Sequence, residues 1–419
     1  MDAELPRAIQ PHGALLVARP ADLCIVRISE NCNQVLGRPP HAWVGRPIED
    51  VVGPKVGSRL RASISRDPFT TPQLVGAAGG VEIAAHLAGD RLIVEIDPYP
   101  VGRAAWVPPP DLLKRAASRI EAADTIDRVL AIATRELALL AGCERFVALR
   151  LGPAGAGQVV AEHLGVAGGS WLGKHVPAEL LPRVGLARLA RHWVRVVCDT
   201  TAAPSRVLPD AEPVDPSGWV LRAPSPAHVA RLVDLGAAAA ITVAIRAGDR
   251  LWGLATGFSA RPLRFSYAHR AAVESIGRWV SDRMTAFAEV ARTIEGIRRR
   301  DIHRQLARRV AARGPAGLID GEPTLTEGIR AIGAAVFDGV GWLTTGRVPP
   351  GPALDGVCAL AAARLLHDDA AVVDAGCLAA RIGPGPRDVA LWFRVPGLHG
   401  NDFVGNQDEL PGPPPHPPG

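Results

Sequence analysis

The sequence predicts an α+β chain of three tandem units, each an antiparallel sheet with flanking helices, joined by one long helix. Three observations carry that prediction. Two pairs of apolar runs are joined across Gly-Asp dipeptides, Gly89-Asp90 and Gly248-Asp249, and glycine supplies the positive φ that a tight hairpin turn needs. Apolar residues recur at helical spacing from Leu112 to Leu140. A longer helical pattern, with apolar residues seven apart in its first half, runs from about Tyr267 to Ala312.

The first unit opens with strand-like runs, Gly13 to Val17 and Leu23 to Ile28, then a short helix over Ser29 to Leu36. Its hairpin pairs Val81–His86 with Arg91–Ile96, and the prolines 108–110 close it as a linker. The second unit begins with the 112–140 helix, which Gly142 stops. Strands follow at Arg145–Leu151 and Gln158–Leu164, then a loop with four prolines between Thr200 and Gly218. The second hairpin pairs Ala240–Ile245 with Leu251–Thr256.

In the long helix, Val273, Val280, Phe287 and Ile294 are seven apart, with Met284 and Ala291 between them. That spacing predicts a coiled-coil seam and a homodimer through Val273–Ile294, weakened at Gly277. Beyond it, Arg298 to Arg313 is strongly basic. This is read as a solvated face rather than an anion site, because no aromatic interleaves the arginines to stack a base. The third unit, from Gly314, carries a hairpin at Ala335–Leu343, a helix near Val357–His367 and a strand at Val389–Arg394. The proline-rich end can only be extended or irregular.

Composition excludes several classes. At roughly 150 residues per domain, 419 residues make two to four domains. With 47% apolar and 21% charged residues, most of the chain must bury cores rather than stay disordered. The apolar run Gly236–Ile245 reaches only about half the ~20 residues of a membrane span. Pro6, Gln10 and His12 interrupt any apolar leader, so a cytoplasmic protein is expected. Of 47 basic residues only Lys55, Lys114 and Lys174 are lysine, which reads as composition bias. A net charge of +5 over three domains is a weak field, so no nucleic-acid partner is expected. The six cysteines form no CxxC pair and have no histidine at metal-ligand spacing. They read as buried, reduced thiols, with no metal site.

No nucleophile elbow, Walker loop, dinucleotide fingerprint or His-Glu-x-x-His appears. No enzyme is expected. Other motifs do stand out. Ile9 to Leu16 (Ile-Gln-Pro-His-Gly-Ala-Leu-Leu) resembles the opening signature of bacterial phytochromes, the biliverdin-binding red/far-red photoreceptors. The resemblance continues in order through Trp171–Ala178, Leu221–His228 (Leu-Arg-Ala-Pro-Ser-Pro-Ala-His), Leu251–Leu254 (Leu-Trp-Gly-Leu), Leu391–Arg394 and Gly405-Asn406. It implies three tandem PAS/GAF-like domains: a PAS-like domain over 1–108, a GAF domain with the bilin pocket over 109–290, a PHY-like domain with a truncated tongue over 291–407, and a Pro-rich tail over 408–419.

The resemblance assigns the two propionate-holding arginines to Arg195 and Arg222, a chemistry that suits the bidentate guanidinium. It puts Ser225 and Thr242 among the pocket's polar groups and His228 over the pyrrole nitrogens, with Ala240 where another hydroxyl is usual. It also implies that Thr200–Gly218 wraps the start of the chain. Several family features are replaced. Residues 1–8 hold no attachment cysteine, and Ala227 stands at the plant-type attachment position. Leu180, after Glu179, stands for the motif's aspartate, and Ser259 for the second pocket histidine. Leu149 and Leu189 stand for two tyrosines, and the chain's only tyrosines are Tyr99 and Tyr267. The expected function is a phytochrome-like sensor that binds biliverdin non-covalently, with impaired photoconversion and no kinase output. The alternative is a pigment-free dimeric scaffold derived from a phytochrome. Covalent attachment at Cys24 or Cys32 ranks below both, because strand-buried thiols are poor nucleophiles.

Overall fold

The computed structural model describes residues 8–393 apart from 67–68, 79–80, 99–109, 153–154, 166–167, 182, 210–213, 330, 366–369, 375 and 383–386. The chain divides into two compact units, Met1–Ala286 and Phe287–Gly419. Among the described residues no helix is long and apolar enough to cross a membrane.

The first unit begins with β1 (Ala8–Ile9), β2 (Ala14–Ala18) and β3 (Ile25–Ser29), then α1 (Cys32–Leu36), α2 (Glu49–Val52) and α3 (Pro54–Arg66). β4 (Gln73–Ala78), β5 (Val81–Ala88) and β6 (Arg91–Pro98) follow. Gly89, at φ +59°, makes the expected hairpin between β5 and β6. Leu16, Ile25, Ile28, Leu60, Leu92 and Val94 pack the core on one face of this sheet.

α4 (Pro110–Glu121) and α5 (Ile126–Ala141) replace the single helix expected over 112–140. Thr125 leaves the helical conformation and its hydroxyl accepts from Arg128 N–H at 3.3 Å, capping α5. Apolar periodicity runs on across the break because both helices bury a face, so it could not reveal the cap. Gly142 ends α5 at φ +67°, as read.

β7 (Arg145–Leu151), β8 (Gly157–Leu164), β9 (His175–Val176), α6 (Arg183–Arg191), β10 (Val194–Val197), β11 (Ser205–Leu208) and α7 (Pro226–Asp234) come next. β12 (Ala239–Ala247) and β13 (Arg250–Ser259) complete the second hairpin. The second sheet runs β10-β12-β13-β7-β8-β9, all antiparallel.

The first sheet runs β1-β11-β3-β2-β6-β5-β4. β11 belongs to the proline-rich loop of the second domain, yet it sits between β1 and β3 of the first. Ile9 also bridges Arg222, so residues 8–10 lie between two stretches of the segment that follows β10. Burial of Val207, Trp219 and Leu221 with Ile9, Leu15 and Ile93 makes this contact part of the core.

α8 (Tyr267–Arg313) is the long helix. The expected seam divides. Val273, Val280 and Met284 are buried with Ala272 and Ile276, on the face where Arg246 N–H donates to Ser281 Oγ and Gly248 N–H to Thr285 Oγ1. Gly277 lets this face close on β12, because a Cβ there would collide with Val243 Cγ2. The helix therefore spends the first half of its apolar repeat on its own sheet, not on a second chain. Past Ala286 the pattern differs: Val290, Ile294 and Ile297 are exposed, at positions i, i+4 and i+7 of one face. The basic stretch is partly neutralised locally, since Glu295 pairs with Arg298 and Arg299 and Asp301 with Arg304.

The second unit holds β14 (Gly333–Phe337), β15 (Trp342–Gly346), α9 (Gly351–Arg364), β16 (Ala370–Asp374), β17 (Cys377–Arg381) and β18 (Val389–Phe393). Its sheet runs β15-β14-β18-β17-β16, and Leu354, Cys358 and Ala361 of α9 pack with Cys377, Leu391 and Phe393. The motif residues Arg394, Gly405 and Asn406, the tail at 408–419, Tyr99 and residues 1–7 lie outside the described residues.

Candidate functional site

A cavity of about 1130 Å³ lies in the first unit, against the second sheet. Its floor follows the two-residue period of strands: Val147 and Leu149 of β7, Ala240 and Thr242 of β12, and Leu254, Thr256 and Phe258 of β13. α6 contributes Leu186, Arg188 and Leu189, α7 contributes His228 and Leu232, and the chain from Ser217 to Pro224 forms another wall. The volume is at or above the upper end of the ~300–1,000 Å³ typical of small-molecule sites, and most of the lining is apolar.

The structure brings all five sequence-assigned residues to this cavity. Arg195 on β10 pairs in register with Thr242 on β12. The Arg195 guanidinium donates to the backbone carbonyl of Arg222. Arg222 is 9% exposed, and its Nη1 is buried without a hydrogen-bond partner. Among the described residues no carboxylate forms an ion pair with either arginine. Burial and the Arg222 charge hold Arg195 well below its ordinary pKa. Burial and Arg188 push Arg222 down to about 10. An enclosed, unpaired donor costs about 1–3 kcal/mol, so this end of the cavity favours an anion that supplies acceptors.

Two assigned residues have local duties. Ser225 caps α7, its hydroxyl accepting from His228 N–H at 3.3 Å, with Pro226 in the first turn. Thr242 shares a hydrogen bond with Thr256 at 3.1 Å. Burial, then Arg231 and Arg195, push the His228 pKa down to about 4, so its ring is neutral at pH 7. Of the replaced family positions, Leu149, Leu180, Leu189 and Ala240 line the cavity. Ser259 is not among the lining residues; its Oγ accepts from Arg261 N–H at 3.1 Å.

Sequence reasoning missed Arg188, His192 and Thr256, which also line the cavity. Arg188 and His192 sit four residues apart in Arg-rich sequence where nothing local marks them. His192 Nε2 is buried and unpartnered, and burial followed by Arg191 and Arg222 lowers its pKa. Among the described lining residues none is a cysteine. Cys32 belongs to the core of the first sheet, where burial raises its pKa, and Cys24 bridges Pro47 there. Neither thiol reaches the cavity wall.

The motif residues outside the cavity hold the wall that carries Arg222. Gln10 donates from Nε2 to Val196 O (3.1 Å) and Arg222 O (3.3 Å) and accepts from Cys198 N–H (2.8 Å). A Cβ at Gly13 would lie 2.7 Å from Ile96 O. Glu95 of β6, 2% exposed, accepts from Leu221 N–H at 2.7 Å and Val220 N–H at 3.1 Å. Burial, against those two bonds, raises its pKa to about 7. At Gly253, in the Leu-Trp-Gly-Leu run, a Cβ would collide with Leu149 O. These motifs mark close backbone approaches as much as ligand contacts.

Residues 2–99 match the family of the PAS fold, and residues 125–284 match the GAF domain family. Cyanobacterial phytochrome B of Nostoc sp. is 25% identical over 436 residues, covering 96% of this chain and 58% of that protein. A bacteriophytochrome of Pseudomonas aeruginosa is 27% identical over 60% of this chain and 35% of its own length. This chain thus spans little more than half the first relative and about a third of the second. The photosensory core module of the Stigmatella aurantiaca phytochrome superposes with a TM-score of 0.75 at 26% identity, covering 94% of this chain and 84% of that one. A bacteriophytochrome of the photosynthetic bacterium R. palustris gives 0.74 at 26% identity, over 93% and 84%. The match with both cores includes the long helix and the domain beyond it. Taken with the cavity, these likenesses make the chain phytochrome-like: a PAS-fold segment and a GAF domain within a structure similar, over nearly all of its length, to the photosensory cores of phytochromes.

Proposed function

We propose that this chain is a sensor whose GAF cavity binds biliverdin non-covalently, with impaired photoconversion. The carrying observation is the pair Arg195 and Arg222 on the cavity without a carboxylate ion pair, Arg222 buried with an unpartnered Nη1, while no described lining residue is a cysteine. A tetrapyrrole bearing two propionates fits that donor set and the apolar floor. A bound bilin would supply the red absorption; the chain's own residues orient it and exclude water. Arg195, Arg222, Ser225, His228 and Thr242 are the proposed binding residues, with Thr242 tied to Thr256. Leu149 and Leu189 on the cavity, where the family has tyrosines, support weakened photochemistry.

The proposed domains are 1–108, 109–290 and 291–407, followed by the tail at 408–419. No catalytic output is assigned to this span. The exposed Val290, Ile294 and Ile297 support a homodimer through the distal part of α8, and the same stripe is what favours the second reading, a pigment-free dimeric scaffold. Six free cysteines agree with a reducing, cytoplasmic setting.

Co-expression with a heme oxygenase tests the first reading. The purified protein should absorb red light, lose its colour on denaturation, show no zinc-induced fluorescence on a denaturing gel and change little in spectrum after red light. A colourless product sinks the reading and leaves the scaffold; a zinc-fluorescent band refutes non-covalent binding.

A further inference from the structure

The positive charge of the chain is concentrated, not spread over its domains. Between Arg292 and Arg313 stand eight arginines and two acids, a net +6 against +5 for the whole sequence, so everything else sums to −1. The weak-field expectation averaged over three domains a charge that one stretch of α8 holds. The fold sorts that stretch by face. Ile302 and Leu306 are buried, Arg309 donates to the Pro323 carbonyl, and a Cβ at Gly317 would meet the Arg309 backbone. One side of the helix is therefore taken up by the domain that follows it. Arg300, Arg304 and Arg308, at i, i+4 and i+8, are exposed on another side. Glu295 serves Arg298 and Arg299, and Asp301 lies 3.6 Å from Arg304, but among the described residues no carboxylate pairs with Arg300 or Arg308. Successive members of the row are about 6 Å apart along the axis, inside a Debye length of about 8 Å, so their fields add. Like charges at this spacing destabilise a helix, and an anion laid along the row relieves that repulsion.

We propose that the exposed row Arg300, Arg304 and Arg308 docks on the phosphate backbone of a nucleic-acid duplex without reading its sequence. The row is straight, evenly spaced and carried on one continuous helix, which suits a partner whose anions are also evenly spaced and fixed. The guanidinium fork matches phosphate oxygens two at a time. No aromatic residue lies between Arg292 and Arg313, so bases have nothing to stack on; that argues against a single strand and leaves backbone contact to a duplex intact. A second copy does not serve as the occupant here. Ile297, Arg304 and Arg308 fall on one face at i, i+7 and i+11, so a copy aligned in parallel on the apolar stripe would set its own arginines against these. The assignment is independent of what the GAF cavity binds.

The test titrates the full-length chain into fluorescently labelled duplex DNA of arbitrary sequence and follows anisotropy. Each phosphate contacted contributes about −0.9 to the slope of log affinity against log salt, so three should give about −2.7, a loss of about fortyfold between about 50 and 200 mM salt. Arg300→Gln and Arg308→Gln should each flatten the slope by about 0.9, and duplexes of unrelated sequence should bind alike. Replacing Arg66, Arg115 and Arg135 together by Gln removes the same charge as losing the row, from exposed positions elsewhere, and should change neither affinity nor slope. If that variant weakens binding as much as losing the row does, the effect is net charge alone and the proposal is overturned. No binding at the lower salt overturns it as well. So does tighter binding of poly-glutamate than of duplex, which would make the partner an acidic protein. Should the row variants fold poorly by far-UV circular dichroism, the wild-type slope and the poly-glutamate comparison still decide the question.

Discussion

Glu95 gives the sharpest prediction. It sits at the centre of the first sheet, wholly enclosed, and its carboxylate holds the two backbone N–H groups that precede Arg222. Its pKa of about 7 in the fold stands against an ordinary 4.5, with burial the dominant cause, two hydrogen bonds and Arg270 opposing, and Asp97 adding. A carboxyl with a raised folded pKa binds more protons folded than unfolded, so its contribution is fully present below pH 4.5 and is lost as pH rises through 7. The 2.5-unit shift corresponds to about 3 kcal/mol over that window. Glu95→Gln cannot ionise: its carbonyl still accepts one N–H, while its NH2 is a donor only and leaves the other N–H without an acceptor at every pH. At pH 5 the variant should unfold at a lower urea concentration than wild type, by the about 1–3 kcal/mol cost of the unsatisfied N–H. By pH 8 the variant should have gained about 3 kcal/mol relative to wild type. Urea titrations by far-UV circular dichroism at pH 5, 6, 7 and 8 measure this, and the difference between the two proteins cancels the titration of every other group. A stability difference that does not change with pH refutes the reasoning.

Other predictions follow from single contacts. His86 is 1% exposed with neither ring nitrogen bonded, and burial, aided by His192, pushes its pKa down to about 4. Its neutral form contributes stability above pH 6.5 that is lost as pH falls through 4, about 3 kcal/mol in all, so His86→Leu should lower the acid-unfolding midpoint; an unchanged midpoint rejects this. Gly253→Ala should destabilise the chain by about 1–3 kcal/mol, because the new methyl meets the Leu149 carbonyl rather than a side chain that can move; an unaltered melting temperature would falsify that account. Ile294→Asp, in the middle of the exposed stripe, should shift the protein to monomer in sedimentation, and a dimer that persists removes the distal part of α8 as the interface.

Much of the architecture was legible because it is local. Gly89 and Gly248 set hairpins by backbone conformation alone, Gly142 ended a helix at positive φ, and the contiguous motifs identified the phytochrome-like modules. The break at Thr125 was not legible, since two helices burying the same side continue one periodicity. Nor was the partner of the α8 seam. Spacing of seven tells which residues share a face, but Gly277 and the sheet beneath it decided that Val273 and Val280 face inward, leaving Val290, Ile294 and Ile297 exposed. The pocket shows the same division. Motif register assigned Arg222 and His228, which lie inside one short signature, and Arg195 by its alignment between the flanking motifs. His192, Arg188 and Thr256 carry no such signature, and among 44 arginines a single basic residue says nothing. Only folding brings β10, the end of α6 and the wall before α7 around one cavity. Burial there removes the water that would satisfy their donors, and it is that loss of solvent, absent from any linear reading, that turns ordinary basic residues into a site for an anion.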